Sequence, residues 1–206
     1  MLNIRQTPVT ILLLVAIGAF FVWETLAGGS TDSRVLIALG ANYGPAVFEG
    51  GQWWRLLAST FLHIGFIHLL VNGWALIQIG GLFERWIGSG SLIVGWLLCG
   101  IAGSFASLLW RSGPENLSAG ASGAIFGLLG ALITFLLRRR NALLPSARSI
   151  LSSLLMWAGI NVFLGFSVPG IDNAAHLGGL AVGLLLGLVL RERRRRPVAP
   201  YPEIPV

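Results

Sequence analysis

The chain has no lysine, a single cysteine, three histidines, and charged residues at only 11% of its 206 positions. Each scarcity closes a route. With Cys99 alone no intrachain disulfide can form, and no Cys and His cluster stands at metal-ligand spacing, which argues against metal chemistry; no cofactor is expected. So little charge, beside 55% hydrophobic residues and a mean hydropathy of +0.79, cannot belong to an ordinary soluble domain. The 14 basic residues are all arginine and leave a formal net charge of +6. They gather at the ends of apolar runs, where they act as topological anchors, so no nucleic-acid partner is expected. The chain reads as an integral membrane protein whose first partner is the lipid bilayer.

What it has in place of charge is long apolar runs. Stretches of about 17 to 25 such residues mark membrane-spanning helices, and six are found: Val9 to Leu26, Gly65 to Phe83, Leu92 to Trp110, Ser122 to Leu137, Ile150 to Phe166 and Ala174 to Leu190. The fold class is therefore all-α, a polytopic six-helix membrane bundle. The first run could be read as a signal peptide, with Thr25-Leu26-Ala27 as a poor cleavage site, but its length fits a retained span better. With a cytoplasmic N-terminus, eleven arginines fall on the cytoplasmic side (Arg5, Arg85, Arg138 to Arg140, Arg148, Arg191 and Arg193 to Arg196) and three on the other (Arg34, Arg55 and Arg111). The positive-inside rule then places both termini in the cytoplasm. Ala27 to Ile64, 38 residues holding Trp53, Trp54 and Phe61, is too long and apolar for a simple connection; it reads as a folded loop in the outer interface. Residues 1–196 form one membrane domain and 197–206 a disordered, Pro-rich cytoplasmic tail. The compact, Arg-only, Gly-rich chain without a targeting presequence points to a bacterial inner (cell) membrane.

Under this topology the even-numbered spans all enter from the outer side, and each carries polar residues near that entrance: His68 and Asn72, then Ser122, then His176. Polar groups in hydrocarbon are costly and normally face a bundle interior or a wet cavity, so their convergence marks a functional site. The fourth span, sixteen residues, reaches only about 24 Å against a hydrocarbon thickness of about 30 Å, so Ser122 starts below the surface. Pro114 to Ala121 would then be irregular backbone at membrane depth, and the N–H groups of the helix start would favour an oxyanion beside Ser122. Gly123, Gly127 and Gly130 on this span and Gly179, Gly183 and Gly187 on the sixth form small-residue seams that let helix backbones approach, as a Ser and a His on separate helices require. A neutral imidazole is suited to take a serine proton and return it to a leaving amine, which makes His176 the candidate base. His68 and Asn72 share a helical face and can offer N–H donors to a tetrahedral intermediate.

Other polar residues carry blander readings. His63 reads as a loop or interface residue. Asp172 and Asn173 read as caps or turn residues, with a third catalytic member as the alternative for Asp172. Glu24 and Glu84, near span ends, read as solvated or paired, and Trp54-Arg55 as an interfacial anchor or a clamp for the long loop. The serine does not sit in a Gly-x-Ser-x-Gly elbow, because Ala124 follows Gly123.

Trp54-Arg55, His68-x-x-x-Asn72, Glu84-Arg85 with Gly88-Ser89-Gly90, Gly120-Ala121-Ser122-Gly123, and Ala175-His176-x-x-Gly179-x-x-x-Gly183 stand in this order along residues 50 to 190. In them the chain resembles the rhomboid intramembrane serine proteases. The resemblance implies a six-helix core, a Ser-His dyad without a required acid, and cleavage of single-pass membrane proteins in a cavity opening to the outer side. It implies Ser122 as nucleophile, His176 as base, and His68, Asn72 and the Ser122 N–H around the oxyanion. Gly120 sits where backbone and substrate approach. Phe126 stands where the family often has a tyrosine packed on the base, keeping the ring and losing the hydroxyl. Two rivals remain: a non-catalytic rhomboid-like protein that binds membrane clients, and a glycine-rich channel or transporter, which would show internal repeats that are not found.

Overall fold

The computed structural model describes residues 4–110, 117–139, 145–168 and 170–193. The Pro-rich tail 197–206 lies outside the described residues, as do Arg111, Arg140, Arg194 to Arg196, and 114–116 of the predicted irregular segment. In chain order the elements are α1 (Pro8–Leu26), α2 (Ser33–Leu39), β1 (Asn42–Tyr43), α3 (Gly44–Phe48), α4 (Arg55–Ala58) and a 3-10 turn (Ser59–Phe61). Then α5 (Phe66–Ala75) continues through a π-helical turn (Leu76–Gly80) into α6 (Gly81–Trp86), followed by α7 (Ser89–Trp110), β2 (Leu117–Ser118), α8 (Ser122–Leu137), α9 (Pro145–Ser167) and α10 (Asn173–Leu186). Among the described residues, Pro8–Leu26, Phe66–Trp86, Ser89–Trp110 and Ala147–Ser167 are long and apolar enough to cross a membrane, and Ser122–Leu137 and Asn173–Leu186 are shorter apolar helices.

Helix α8 occupies its predicted residues. Helices α7 and α9 begin three and five residues early, at Ser89 and Pro145, because a helix can start on serine or proline ahead of its apolar window. Helix α10 stops at Leu186, four residues short of the apolar run. The all-α expectation holds apart from one short pairing. Asn42 pairs antiparallel with Ser118 and Tyr43 with Leu117, so backbone groups that no helix serves satisfy each other, and the segment after α1 is tied to the chain entering α8.

The core is built on α8, which buries thirteen of its sixteen residues and packs against α7 and α10, which also pack on each other. A helix apolar all round belongs in the middle of a bundle. A Cβ on Gly179 would collide with the Gly123 carbonyl oxygen and one on Gly183 with that of Gly127, while one on Gly187 would lie 2.5 Å from the oxygen of Ala131. The two seams therefore run parallel in one register, backbone on backbone, as small-residue faces allow. From the α7 side a Cβ on Gly103 would meet the Ala175 oxygen at 2.7 Å. At the other end Arg138 donates to the carbonyls of Gly187 and Leu190, at 3.1 and 3.3 Å, closing the last turn of α10.

Glu24 and Glu84 are not solvated: both are fully buried. Pro8 opens α1 and the next amides have no intrahelical acceptor. Glu84 supplies one from another helix, accepting from Val9 N–H (2.9 Å), Thr10 N–H (2.8 Å), the Thr10 hydroxyl (2.7 Å) and the Ser89 hydroxyl (2.6 Å). Buried carboxylates persist where every lone pair is used in this way. Glu84→Ala should lower unfolding stability by about 2 to 4 kcal/mol through the orphaned donors, and Glu84→Gln by less, as read by thermal unfolding in detergent. Equal stability of the alanine variant and the parent would remove the cap from the account.

Candidate active site

The site begins with glycine geometry. Gly120 holds φ +148°, a backbone region that disfavours side chains, and its N–H donates to the Ser59 carbonyl at 2.9 Å. A Cβ there would lie 2.6 Å from His68 Cε1, so only glycine lets this strand of chain pass the imidazole. Two residues later α8 starts at Ser122, with Ala121 as a cap that offers no side-chain acceptor. The amides of the first turn thus point ahead of the helix with no partner within it.

His68, Asn72, Gly120, Ser122, Gly123, Phe126 and His176 line one cavity of about 450 Å³. Trp54 and Arg55 do not border it. Helices α5, α8 and α10 each contribute to its wall, as the three even-numbered apolar runs were expected to. The Phe126 ring stacks flat on His176, with centroids 4.2 Å apart and planes 6° apart, and Trp157 of α9 packs on Phe126 at 5.5 Å. That contact fixes the plane of the imidazole. His176 is buried, and among the described residues its Nδ1 has no hydrogen-bond partner. Among the described residues no hydrogen bond joins Ser122 to His176; both border the same cavity. The Asn72 amide donates to the His68 carbonyl at 2.9 Å, one turn back on its own helix, which holds the amide in one orientation.

Asp172 caps α10, as a local reading of the sequence expects, accepting from the Ala175 N–H at 3.0 Å. Its other oxygen accepts from the hydroxyls of Ser118, at 2.6 Å, and Ser107. One carboxylate therefore joins α10, β2 and α7 immediately before His176, and it is not hydrogen-bonded to the imidazole. Asn173 reaches α9 instead of capping, donating to the Val162 carbonyl at 3.3 Å.

Arg55 is a clamp within the segment after α1. Its guanidinium bonds Gln52 (2.7 Å) and the carbonyls of Ile37 (2.6 Å) and Ala41 (3.1 Å), lies 4.9 Å from the centroid of the exposed Trp54 ring, and is lowered in pKa by burial. Trp54 in turn covers Gly40, which ends α2 at φ +110°.

Sequence reasoning missed three contributions. His63, read as a loop or interface residue, has no exposed surface and bonds the chain entering Ser122. Glu24 accepts from the His63 N–H at 2.9 Å. Ser59 and Ser104 bond each other at 3.2 Å on the cavity wall. Ser104 and Ser107, one turn apart on an apolar helix, were the available signal for that wall; for His63 and Glu24 nothing local distinguished a buried bond from a solvated end.

A model of the Rhomboid domain matches residues 50–193. The chain is 40% identical over 188 residues to Rhomboid protease GluP of Bacillus subtilis (strain 168), covering 91% of this chain and 36% of that protein. It is 40% identical over 159 residues to RHOMBOID-like protein 4 of Arabidopsis thaliana, 77% of this chain and 39% of that one. With YdcA of Bacillus subtilis (strain 168) it shares 30% identity over 193 residues, 94% of each chain. The chain thus spans less than half the length of the first two relatives and nearly all of the third.

Proposed function

Because this chain belongs to the rhomboid family, we propose that it is an intramembrane serine endopeptidase, hydrolysing peptide bonds in or near the transmembrane segments of single-pass membrane proteins. The observation that carries this reading is the shared cavity of Ser122, His176, His68 and Asn72, with Phe126 stacked on the imidazole. In it Ser122 Oγ attacks the scissile carbonyl while His176 takes the hydroxyl proton. The carbonyl oxygen, now an anion, receives hydrogen bonds from the Ser122 N–H, the His68 ring N–H and the second N–H of the Asn72 amide. His176 returns the proton to the leaving amine, and water entering the cavity hydrolyses the acyl-enzyme at Ser122 with the same imidazole as base. Gly120 and Gly123 leave room for substrate backbone beside the nucleophile.

The membrane frame belongs to the same reading. The six apolar helices are taken as six spans of one domain, 1–196, in a bacterial inner (cell) membrane. Arginine asymmetry supports a reading with both termini in the cytoplasm, the cavity opening to the outer side, and the segment after α1, with exposed Trp53 and Trp54, in the outer interface. The reach of α8, about 24 Å and so about 6 Å short of the hydrocarbon, supports a Ser122 below that surface.

A fluorophosphonate probe on the purified protein tests the chemistry. It should label one site, mapped to Ser122 by peptide mass spectrometry, and His176→Ala should reduce the labelling rate by about 10² to 10⁴-fold, the usual worth of a general base. An unlabelled protein that still captured transmembrane clients would instead establish the non-catalytic relative.

A further inference from the structure

His63 lies in the short stretch between the 3-10 turn and α5, does not border the cavity, and has no exposed surface. Four contacts hold it. Its backbone N–H donates to Glu24 Oε1 of α1 at 2.9 Å, and its Nδ1 lies 3.3 Å from the Phe61 carbonyl oxygen. Its Nε2 accepts from the Ala121 N–H at 3.5 Å, and its ring meets that of His68 edge-on, with centroids 5.3 Å apart. A carbonyl only accepts, so Nδ1 carries the proton and Nε2 is left with the lone pair that Ala121 N–H needs. The ring is therefore neutral and in one tautomer. Burial agrees, pushing its pKa down to about 3, with the like charge of a protonated His68 acting in the same direction.

From these contacts we propose that His63, braced by Glu24, is a positioning residue for the chemistry at Ser122; the assignment rests on Ser122 being the nucleophile. His63 bears on two of the three oxyanion donors while touching no substrate. By holding the Ala121 amide it sets the turn from which the Ser122 N–H projects, and by packing on His68 it limits the tilt of the ring whose N–H must meet the oxyanion. The Gly120 backbone also approaches that imidazole, so His68 packs against both a backbone and a second histidine. Glu24 anchors the arrangement to α1, which supplies nothing to the cavity wall itself.

The test uses the full chain in detergent and in vesicles, with His63→Ala, His63→Gln and Glu24→Ala. The amount of labellable Ser122 is counted by fluorophosphonate at completion, and kcat per labelled site and KM are read on a model transmembrane substrate. Misplacing reacting groups by about 1 Å costs up to roughly 10²-fold, so His63→Ala should lower kcat per site by about 10- to 100-fold with KM within about threefold. His63→Gln, whose amide oxygen can accept from Ala121, should recover part of the loss, and Glu24→Ala should show a smaller fall. A merely structural role would reduce the amount of labellable protein and leave kcat per site unchanged, and that result overturns the proposal. Should His63→Ala fail to insert, the other two variants carry the comparison, and normal kcat in both overturns it. Absence of Ser122-dependent labelling in the parent protein would overturn the nucleophile assignment and this proposal together, whereas normal parent labelling with unaltered variants overturns this one alone.

Discussion

Ser122→Ala is expected to abolish cleavage of a model transmembrane substrate, a fall on the order of 10⁶-fold in kcat by analogy with removal of a serine nucleophile elsewhere, while leaving the folded protein in place. The two halves of the result have separate causes. Loss of activity follows from loss of the proposed nucleophile: among the described residues the cavity's other hydroxyls, on Ser59, Thr60, Ser104 and Ser118, bond one another, the Leu57 carbonyl or Asp172. Retention of the fold follows from the packing. Ser122 is the first residue of α8, partly exposed to the cavity, whereas the contacts that hold the helix are made further along, at Gly123, Gly127 and Ala131 against α10. Alanine is also the best helix former for such a position. Product fragments resolved by mass spectrometry, with thermal unfolding of both proteins in parallel, give the measurement. Residual cleavage at the parent's site by a variant free of parent enzyme would end the assignment of Ser122 as nucleophile.

The contrast between Ser122 and Glu84 shows which parts of the molecule could be read before its structure. A largely apolar helix of sixteen residues with glycines at helical spacing declares its length, its burial and the face it offers, because each depends on neighbours three or four residues away. Asp172 is legible for the same reason, since a cap is satisfied three residues on. Glu84 and Glu24 are not. Each sits near the end of an apolar run, where solvation is the default, and each is buried because a partner 75 or 39 residues away presents unpaired amides. The antiparallel pair at Asn42 and Ser118 is hidden likewise: two residues carry no alternation pattern, and the pairing exists only because the α5–α6 helix and α7 return the chain to that point. His63 combines both difficulties. Its role depends on the backbone of Ala121, which has no side-chain signature to find. What sequence reading recovered at the site is the side chains on α5, α8 and α10 that line one cavity; what it lacked is the layer behind them.

Asn72→Ala is expected to lower kcat by about 10² to 10³-fold with little change in KM or in unfolding temperature. The asymmetry comes from where the side chain's bonds go. Among the described residues its one side-chain bond is to the His68 carbonyl on its own helix, a local contact whose loss α5 tolerates, since the carbonyl keeps its place in the helical ladder. That same bond fixes the amide plane at the cavity wall, so the remaining N–H meets a developing oxyanion without a reorganisation cost, and such preorganised donors contribute about 2.7 to 4 kcal/mol to the transition state. A ground-state carbonyl, with less charge and a different oxygen position, gains less from it, which is why the loss should fall on kcat. His68 supplies the internal control. Its ring packs against Gly120 and His63, so His68→Ala should lower kcat and stability together, whereas Asn72→Ala should separate them. Turnover on a transmembrane substrate, beside thermal unfolding in the same detergent, reads both. An Asn72→Ala protein with the parent's kcat would remove Asn72 from the oxyanion site, leaving the Ser122 amide and His68 to hold the charge.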